Sequence, residues 1–395
     1  MRIVHVSDAY LPKQGGIEVQ VHDLASRQRE AGHEVTVVTC APADSADGTT
    51  AGCCGQTVPV IRLRTPWGRV RRSNQRLREI FRTTEADVVH AHLSVLSPLS
   101  ILAVRGAARD GVPVVATLHS LWWFATPLYA IADLIVRWSR WAVQWTAVSE
   151  LAAAPMRAVL RHHAEVAILP NGIDPGAWTV DPLPRDPADV VVVTVMRLAS
   201  RKRPRALLKA FRQALDHAPA GVRLHLVMVG DGPLRPKLER DIARLGLAEH
   251  VELRGAQRRD QIRQLYRRAD VYIAPAVLES FGIAALEARS AGLPVIARMQ
   301  TGIADFIRHG EHGLLATDDT ELAVALVQLA RDPQQRATMS ATSRATAPEW
   351  GWGEVLLRCD LAYKLAHELT RPGRPSGRRP SGRPGRPRDW SPTPG

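Results

Sequence analysis

Asp181-Pro182-Leu183-Pro184-Arg185-Asp186-Pro187-Ala188-Asp189-Val190-Val191-Val192-Val193-Thr194-Val195 divides the chain, because a Pro-rich connector there runs straight into a β-branched strand. Proline removes a backbone donor and holds the chain extended, so 181–187 joins elements rather than forming one. From Val190–Val195 onward the apolar runs Leu224–Val229, Val251–Leu253, Val271–Ala274 and Pro294–Ala297 alternate with helical patterns such as Pro204–His217 and Pro233–Leu245. Before the connector the same alternation reads Arg2–Ser7, Val35–Thr39, Val58–Leu63, Asp87–His90, Val114–Leu118, Trp145–Val148 and Val166–Leu169, with Ile17–Ala31 a clear amphipathic helix. Continuous apolar strands separated by helices are the pattern of parallel sheets covered on both faces. The expectation is two doubly wound α/β domains facing across a cleft. Residues 1–180 and 190–350 form the domains and 181–189 the connector. A helix over 351–370 packs back on the first domain, and 371–395 is a disordered Arg/Pro/Gly tail.

A chain of 395 residues exceeds one ordinary core, and 45% apolar content excludes global disorder. No apolar window reaches the roughly 18 residues of a spanning helix. Met1–Val6 enters a strand without signal-peptide architecture, so a cytoplasmic protein is expected. Cys40, Cys53, Cys54 and Cys359 lack metal-ligand spacing and read as reduced thiols. The net charge of +13 suggests nucleic acid until it is located. Seven Arg and one Asp fall in 371–395, leaving +7 over the other 370 residues, which is ordinary for a globular enzyme. Nucleic acid is therefore not an expected partner. The tail has nothing to bury and is read as a solvated appendage that could assist at an anionic surface.

Open sheets bind ligands beyond the carboxyl ends of their strands, and four constellations lie there. The first is Glu279-Ser280-Phe281-Gly282-Ile283-Ala284-Ala285-Leu286-Glu287, after Val271–Ala274. Gly282 marks the opening of a helix whose free N–H groups cradle phosphate. Glu287 shares an inward face with Ile283, and an inward carboxylate needs donors such as ribose hydroxyls. Glu279, on the preceding loop, can reach a bound sugar. Solvation of Glu279 and a dipole role for Glu287 are the alternatives. The second is Arg197-Leu198-Ala199-Ser200-Arg201-Lys202. Arg197 and Lys202 suit a departing pyrophosphate, with Arg201 a third contact or a solvated side chain. The third is Gly15-Gly16-Ile17, where glycine lets backbone approach a phosphate, unless it makes only a tight turn. The absence of a full G-x-G-x-x-G disfavours a dehydrogenase. The fourth is His119, ending Val114–Leu118; a lone His is often structural, but this one faces the cleft. His90, His92, His162 and His163 lack that combination.

These residues together resemble the family-4 retaining glycosyltransferases of the B-type fold with two Rossmann-like domains. That family includes phosphatidylinositol mannosyltransferases and inositol-phosphate N-acetylglucosaminyltransferases. The resemblance covers about residues 1–368 and also rests on Pro170-Asn171-Gly172-Ile173-Asp174, Gly302-Ile303-Ala304-Asp305-Phe306-Ile307, Gly310 and Gly313-Leu314-Leu315. It implies that Glu287 binds the donor ribose and that Arg197 and Lys202 bind the diphosphate. Gly16 and the amides of Phe281, Gly282 and Ile283 would face the donor phosphates. His119 and Glu279 would contact the transferred sugar, with Gly255 and Ala256 against the base. It further implies retention of anomeric configuration, no cofactor besides the nucleotide sugar, and no metal; no Asp-x-Asp is present. Asp305 stands where the family commonly has Glu.

The expected reaction moves a hexose, GDP-mannose slightly favoured over UDP-sugars, to a lipid, inositol or glycan hydroxyl. The alternatives are a nucleotide-sugar epimerase of the same architecture and a basic binding module acting through the tail. Residues 121–145 carry Trp122, Trp123, Trp138, Trp141 and Trp145 with Arg137 and Arg140. Interleaved on a helix, these suit peripheral contact with the inner face of the plasma membrane. The same tryptophans could instead build the core and the cleft wall.

Overall fold

The computed structural model describes residues 1–12, 15–43, 49–51, 57–63, 70–161, 163–346 and 350–371. Cys53, Cys54 and the tail from residue 372 onward lie outside them. The first sheet contains β1 (Arg2–Ser7), β2 (Glu34–Thr39), β3 (Thr49–Ala51), β4 (Thr57–Arg62), β5 (Val88–Leu93), β6 (Val114–Leu118), β7 (Gln144–Ala147) and β8 (Val166–Ile168). Its spatial order is β3-β4-β2-β1-β5-β6-β7-β8. The second contains β9 (Asp189–Val195), β10 (Arg223–Val229), β11 (Val251–Gly255), β12 (Val271–Ala274), β13 (Val295–Arg298) and β14 (Gly313–Ala316), ordered β11-β10-β9-β12-β13-β14. Every pairing between these strands is parallel except β3 with β4. Two doubly wound sheets are thus present. The edge strand β3 and the four-residue β14 have no counterpart among the expected strands. β5 runs three residues beyond the expected His90, which places His92 inside the sheet.

The central strands bury both faces, and all six residues of β5 and all four of β13 are buried. Their apolar residues therefore show no alternation, while His90, His92 and Arg298 are buried polar exceptions held by hydrogen bonds. The intervening helices are α1 (Gly16–Glu30), α2 (Val70–Thr83), α3 (Pro98–Arg109), α4 (Thr126–Val136), α5 (Glu150–Leu160) and α6 (Pro175–Trp178) in the first half. The second half carries α7 (Pro204–Asp216), α8 (Arg235–Arg244), α9 (Arg259–Tyr266), α10 (Ile283–Ser290), α11 (Asp319–Arg331) and α12 (Pro333–Ala345). In α7, Leu207, Leu208, Phe211 and Ala214 turn inward while Arg205 and Lys209 stay exposed, a one-sided stripe that holds the helix on its sheet.

The last helix, α13 (Trp352–Thr370), returns to the first sheet. Its Trp352, Val355, Cys359, Ala362, Tyr363 and Ala366 join Ile3, Val37, Val88 and Val115 in one buried cluster. The return is fixed by Ile173 N–H donating to Trp350 O and Trp352 N–H to Ile173 O. Gly172 lies under the Trp352 ring, where a Cβ would sit 2.5 Å from a ring carbon.

Candidate active site between the two sheets

Strand order reverses at β1 in the first sheet and at β9 in the second, and crevices open at such switch points. The loops after β1, β6, β9 and β12 meet across the resulting cleft. Ser280 Oγ donates to His119 O at 2.6 Å, Arg259 pairs with Asp23 at 2.6 Å, and Glu150 N–H donates to Asp305 Oδ2 at 3.1 Å. The helix that carries Gly16 therefore lies against the helix that carries Ile283: a Cβ on Gly16 would stand 4.0 Å from Ile283 Cδ1.

On the second domain, α10 begins after Gly282, whose φ of +92° favours glycine. A Cβ there would also meet Ile303 Cγ1 at 2.4 Å. Among the described residues no side chain caps this end, so the first amides of α10 keep free donors. The loop is anchored by Phe281, which is buried and packs with Phe306 and Trp350 at ring separations of 5.4–5.7 Å. Glu287 lies one turn further in, 8% exposed, and accepts no hydrogen bond among the described residues. Burial pushes its carboxyl up to about 8, partly offset by Arg259 and reinforced by Asp23. A buried carboxylate without donors is costly, and a ligand's hydroxyls would relieve that cost.

Arg197 follows β9, is exposed and, like Arg201, has no partner among the described residues. Lys202 forms an ion pair with Glu279, so the second-domain constellations meet directly. Gly15 caps α1 with extended backbone, and a Cβ on it would strike the Glu18 carboxylate at 2.4 Å. Asp305 caps the interdomain contact to α5, and burial raises its carboxyl above the ordinary value.

His119 is buried at the end of β6, and burial lowers its imidazole to about 4, so the ring is neutral near pH 7. Its Nε2 is 3.0 Å from His92 Nδ1. His92, which sequence alone leaves out of the site, belongs to this neighbourhood. The signal was His90-x-His92 on one strand beside His5 on the next, with alternate residues sharing a face.

Of the two readings of the tryptophans in 121–145, the core-building one holds for Trp122, Trp138 and Trp145. All three are buried: Trp122 and Trp138 stack with rings 6.0 Å apart, Tyr129 lies tilted against both, and Trp145 meets Trp138 edge-on. Trp138 sits in a tight turn after Arg137, and Trp145 on β7. Large rings there gain more from the core than from the surface. The exposed apolar surface is made instead by α4, which buries none of its residues, together with Trp123 and Phe124.

Residues 14–177 match the family model described as Glycosyltransferase Family 4, and 181–346 match Glycosyl transferases group 1. A D-inositol 3-phosphate glycosyltransferase of Rhodococcus opacus is 31% identical over 71% of this chain and 67% of its own. An alpha-monoglucosyldiacylglycerol synthase of Acholeplasma laidlawii is 25% identical over 92% and 96%. Among solved structures, Anabaena HepE in complex with UDP superposes with a TM-score of 0.73 at 22% identity, covering 92% of this chain and 100% of that one. The chain is a family-4 glycosyltransferase, with two Rossmann-like domains in the B-type arrangement.

Proposed function

We propose that this enzyme moves a hexose from a nucleotide diphosphate donor to a lipid or inositol hydroxyl, with retention and without a metal. The observation that carries the reading is Glu287, a buried carboxyl to which no described residue donates, in one cleft with Arg197, Arg201 and the start of α10, none of which has a side-chain partner among the described residues. Ribose hydroxyls satisfy Glu287. The diphosphate meets the amides of Phe281, Gly282 and Ile283, with Arg197 and Lys202 neutralising charge as the sugar leaves. Gly15 and Gly16 let the first domain approach the phosphates, while His119 and Glu279 hold the sugar. Gly255, at φ +69° at the end of β11, lies toward the base. Attack from the leaving-group face, assisted by the departing phosphate, retains configuration.

The resemblance favoured GDP-mannose. The names of the relatives, a glucosyl-lipid synthase and phosphatidylinositol N-acetylglucosaminyltransferases, together with HepE bound to UDP, move first choice to a UDP-hexose. Peripheral membrane contact is assigned to α4, where Leu128, Ile131 and Ile135 share a face at helical spacing and Arg137 and Arg140 flank it. Among the described residues no helix is long and apolar enough to cross a membrane.

Thermal shift with UDP, GDP and ADP, followed by transfer assays with the matching sugars, tests the reading. Acceptors are phosphatidylinositol and diacylglycerol vesicles and soluble inositol phosphate, and product anomers are read by NMR. Binding of no nucleotide, or donor turnover without an acceptor, refutes it.

A further inference from the structure

Four imidazoles, an amide and a phenol hydroxyl form an unbroken buried chain beneath the cleft. Gln28 Oε1 is 2.6 Å from His5 Nε2, His5 Nδ1 is 2.9 Å from His92 Nε2, and His92 Nδ1 is 3.0 Å from His119 Nε2. At the far end Gln28 Nε2 donates to Tyr363 Oη on α13 at 2.7 Å, and Tyr363 Oη lies 3.0 Å from His90 Nδ1. His90 Nε2 continues to Thr117 Oγ1 at 2.7 Å. All of these side chains are buried, and His5, His90 and Tyr363 have no exposed surface.

A neutral imidazole has one donor and one acceptor, so this chain permits few proton arrangements. Burial lowers His5, His90, His92 and His119 below the ordinary histidine value, which keeps all four neutral. With the Gln28 carbonyl facing His5, that ring must carry its proton on Nε2 and accept at Nδ1. His92 must then donate from Nε2 and accept at Nδ1, and His119 must donate from Nε2. His119 Nδ1, buried beside the Asn171 side chain and without a hydrogen-bond partner among the described residues, is left as an acceptor. The opposite arrangement needs the Gln28 amide, all three imidazoles and the Tyr363 hydroxyl to reverse together. One amide orientation therefore sets the character of His119 Nδ1.

We propose that Gln28, His5 and His92 are positioning residues that fix the tautomer and ring orientation of His119, with Tyr363 of the C-terminal helix setting the polarity of the relay. The proposal rests on the reading that His119 holds the transferred sugar. It makes the His119 ring accept a sugar hydroxyl at Nδ1 rather than donate to one. His5, His90 and His92 also bring ring nitrogens within 4.8 Å of one another, a spacing a cation could use. Each of those rings already spends both nitrogens on hydrogen bonds, so a cation would have to break the relay.

The test begins on the unaltered protein. Histidine ring nitrogens labelled with ¹⁵N report the tautomer directly; His5, His92 and His119 should all carry the proton on Nε2. Gln28→Leu should turn His119 into a mixture of tautomers. In transfer assays His92→Phe should lower kcat about ten-fold, the value of one lost hydrogen bond, without changing nucleotide Kd. In a His119→Ala background the same substitution should cost nothing more, because it acts through that ring. His92→Gln, which keeps a donor and an acceptor, should recover part of the loss. Equal losses in both backgrounds would make His92 merely structural and overturn the proposal. So would a Nδ1-protonated His119, or stoichiometric zinc in the protein as purified. If His92→Phe does not fold, Gln28→Leu carries the same kinetic comparison. If His119→Ala transfers sugar at the wild-type rate while the NMR holds, the sugar contact is refuted and the relay stands.

Discussion

Replacing Glu287 by Gln should make the empty enzyme more stable and bind its donor less well, and the first effect should depend on pH. Burial holds the Glu287 carboxyl near 8 rather than 4.5. An acid with a raised folded-state pKa loses stability as pH rises, because the folded state retains a proton that the unfolded chain gives up. The window runs from about 4.5 to about 8 and costs at most about 4 kcal/mol by pH 8, against about 1 kcal/mol at pH 5. Gln cannot ionise, so it escapes this cost but brings an amide that needs partners, which returns about 1–2 kcal/mol. The net gain at pH 8 is about 2 kcal/mol, or about 4–8 °C in Tm for a domain of this size. At pH 5 the two proteins should melt together. A neutral acceptor is worth about 1.5 kcal/mol less than a charged one, so Kd for the nucleotide should rise about ten-fold. Calorimetric melting at pH 5 and pH 8, with nucleotide titration at pH 8, reads both effects. A melting gap independent of pH would show that Glu287 is not held protonated by its surroundings. Unchanged nucleotide affinity would remove it from the ribose.

Arg197→Ala and Lys202→Met should each lower turnover about a hundred-fold or more while leaving melting within a few degrees, as expected for groups that act on developing charge. EDTA should leave the wild type active; restoration by Mg²⁺ after loss on chelation would overturn the metal-free reading. Ile131→Glu with Ile135→Glu should abolish co-sedimentation with anionic vesicles without affecting Tm, since both side chains are exposed. Truncation after Leu369 should remove only a salt-sensitive part, because exposed charges are screened within about 8 Å at physiological ionic strength. Vesicle binding lost on truncation alone would place the membrane contact in the tail. Trp138→Ala should instead destabilise the fold, as a buried ring removed from a stack costs about 3–5 kcal/mol.

The parallel sheets were legible because a strand buried on both faces is largely apolar, as Val190–Val195 is but for Thr194. Short or edge strands carry too few residues for that signal, and β14, only Gly313–Ala316, was visible as a motif but not as a strand. The cleft loops could be placed because each follows a strand, yet the ion pair between Lys202 and Glu279 joins residues 77 apart and leaves no local trace. The tryptophans leave two readings open for a definite reason. A ring has the same hydropathy in a core as at an interface, and only the fold shows that Trp138 faces Trp122 while Ile135 faces outward. His92 was passed over because its importance lies in what it touches, and that depends on the register of β5 with its neighbours β1 and β6.

The return of α13 also bears on how the protein is made. The cluster around Ile3, Val37, Val88 and Val115 is not complete until Trp352, Val355, Tyr363 and Ala366 arrive. A ribosome delivers the first sheet long before those residues, and domains ordinarily fold in the order of synthesis. Here the half made first must wait, with an apolar face uncovered, while 189–316 forms its own sheet. The second half can close as a continuous stretch of chain. Expressing 1–180 alone should therefore yield an aggregating fragment, and supplying a peptide of 350–370 in trans should recover solubility.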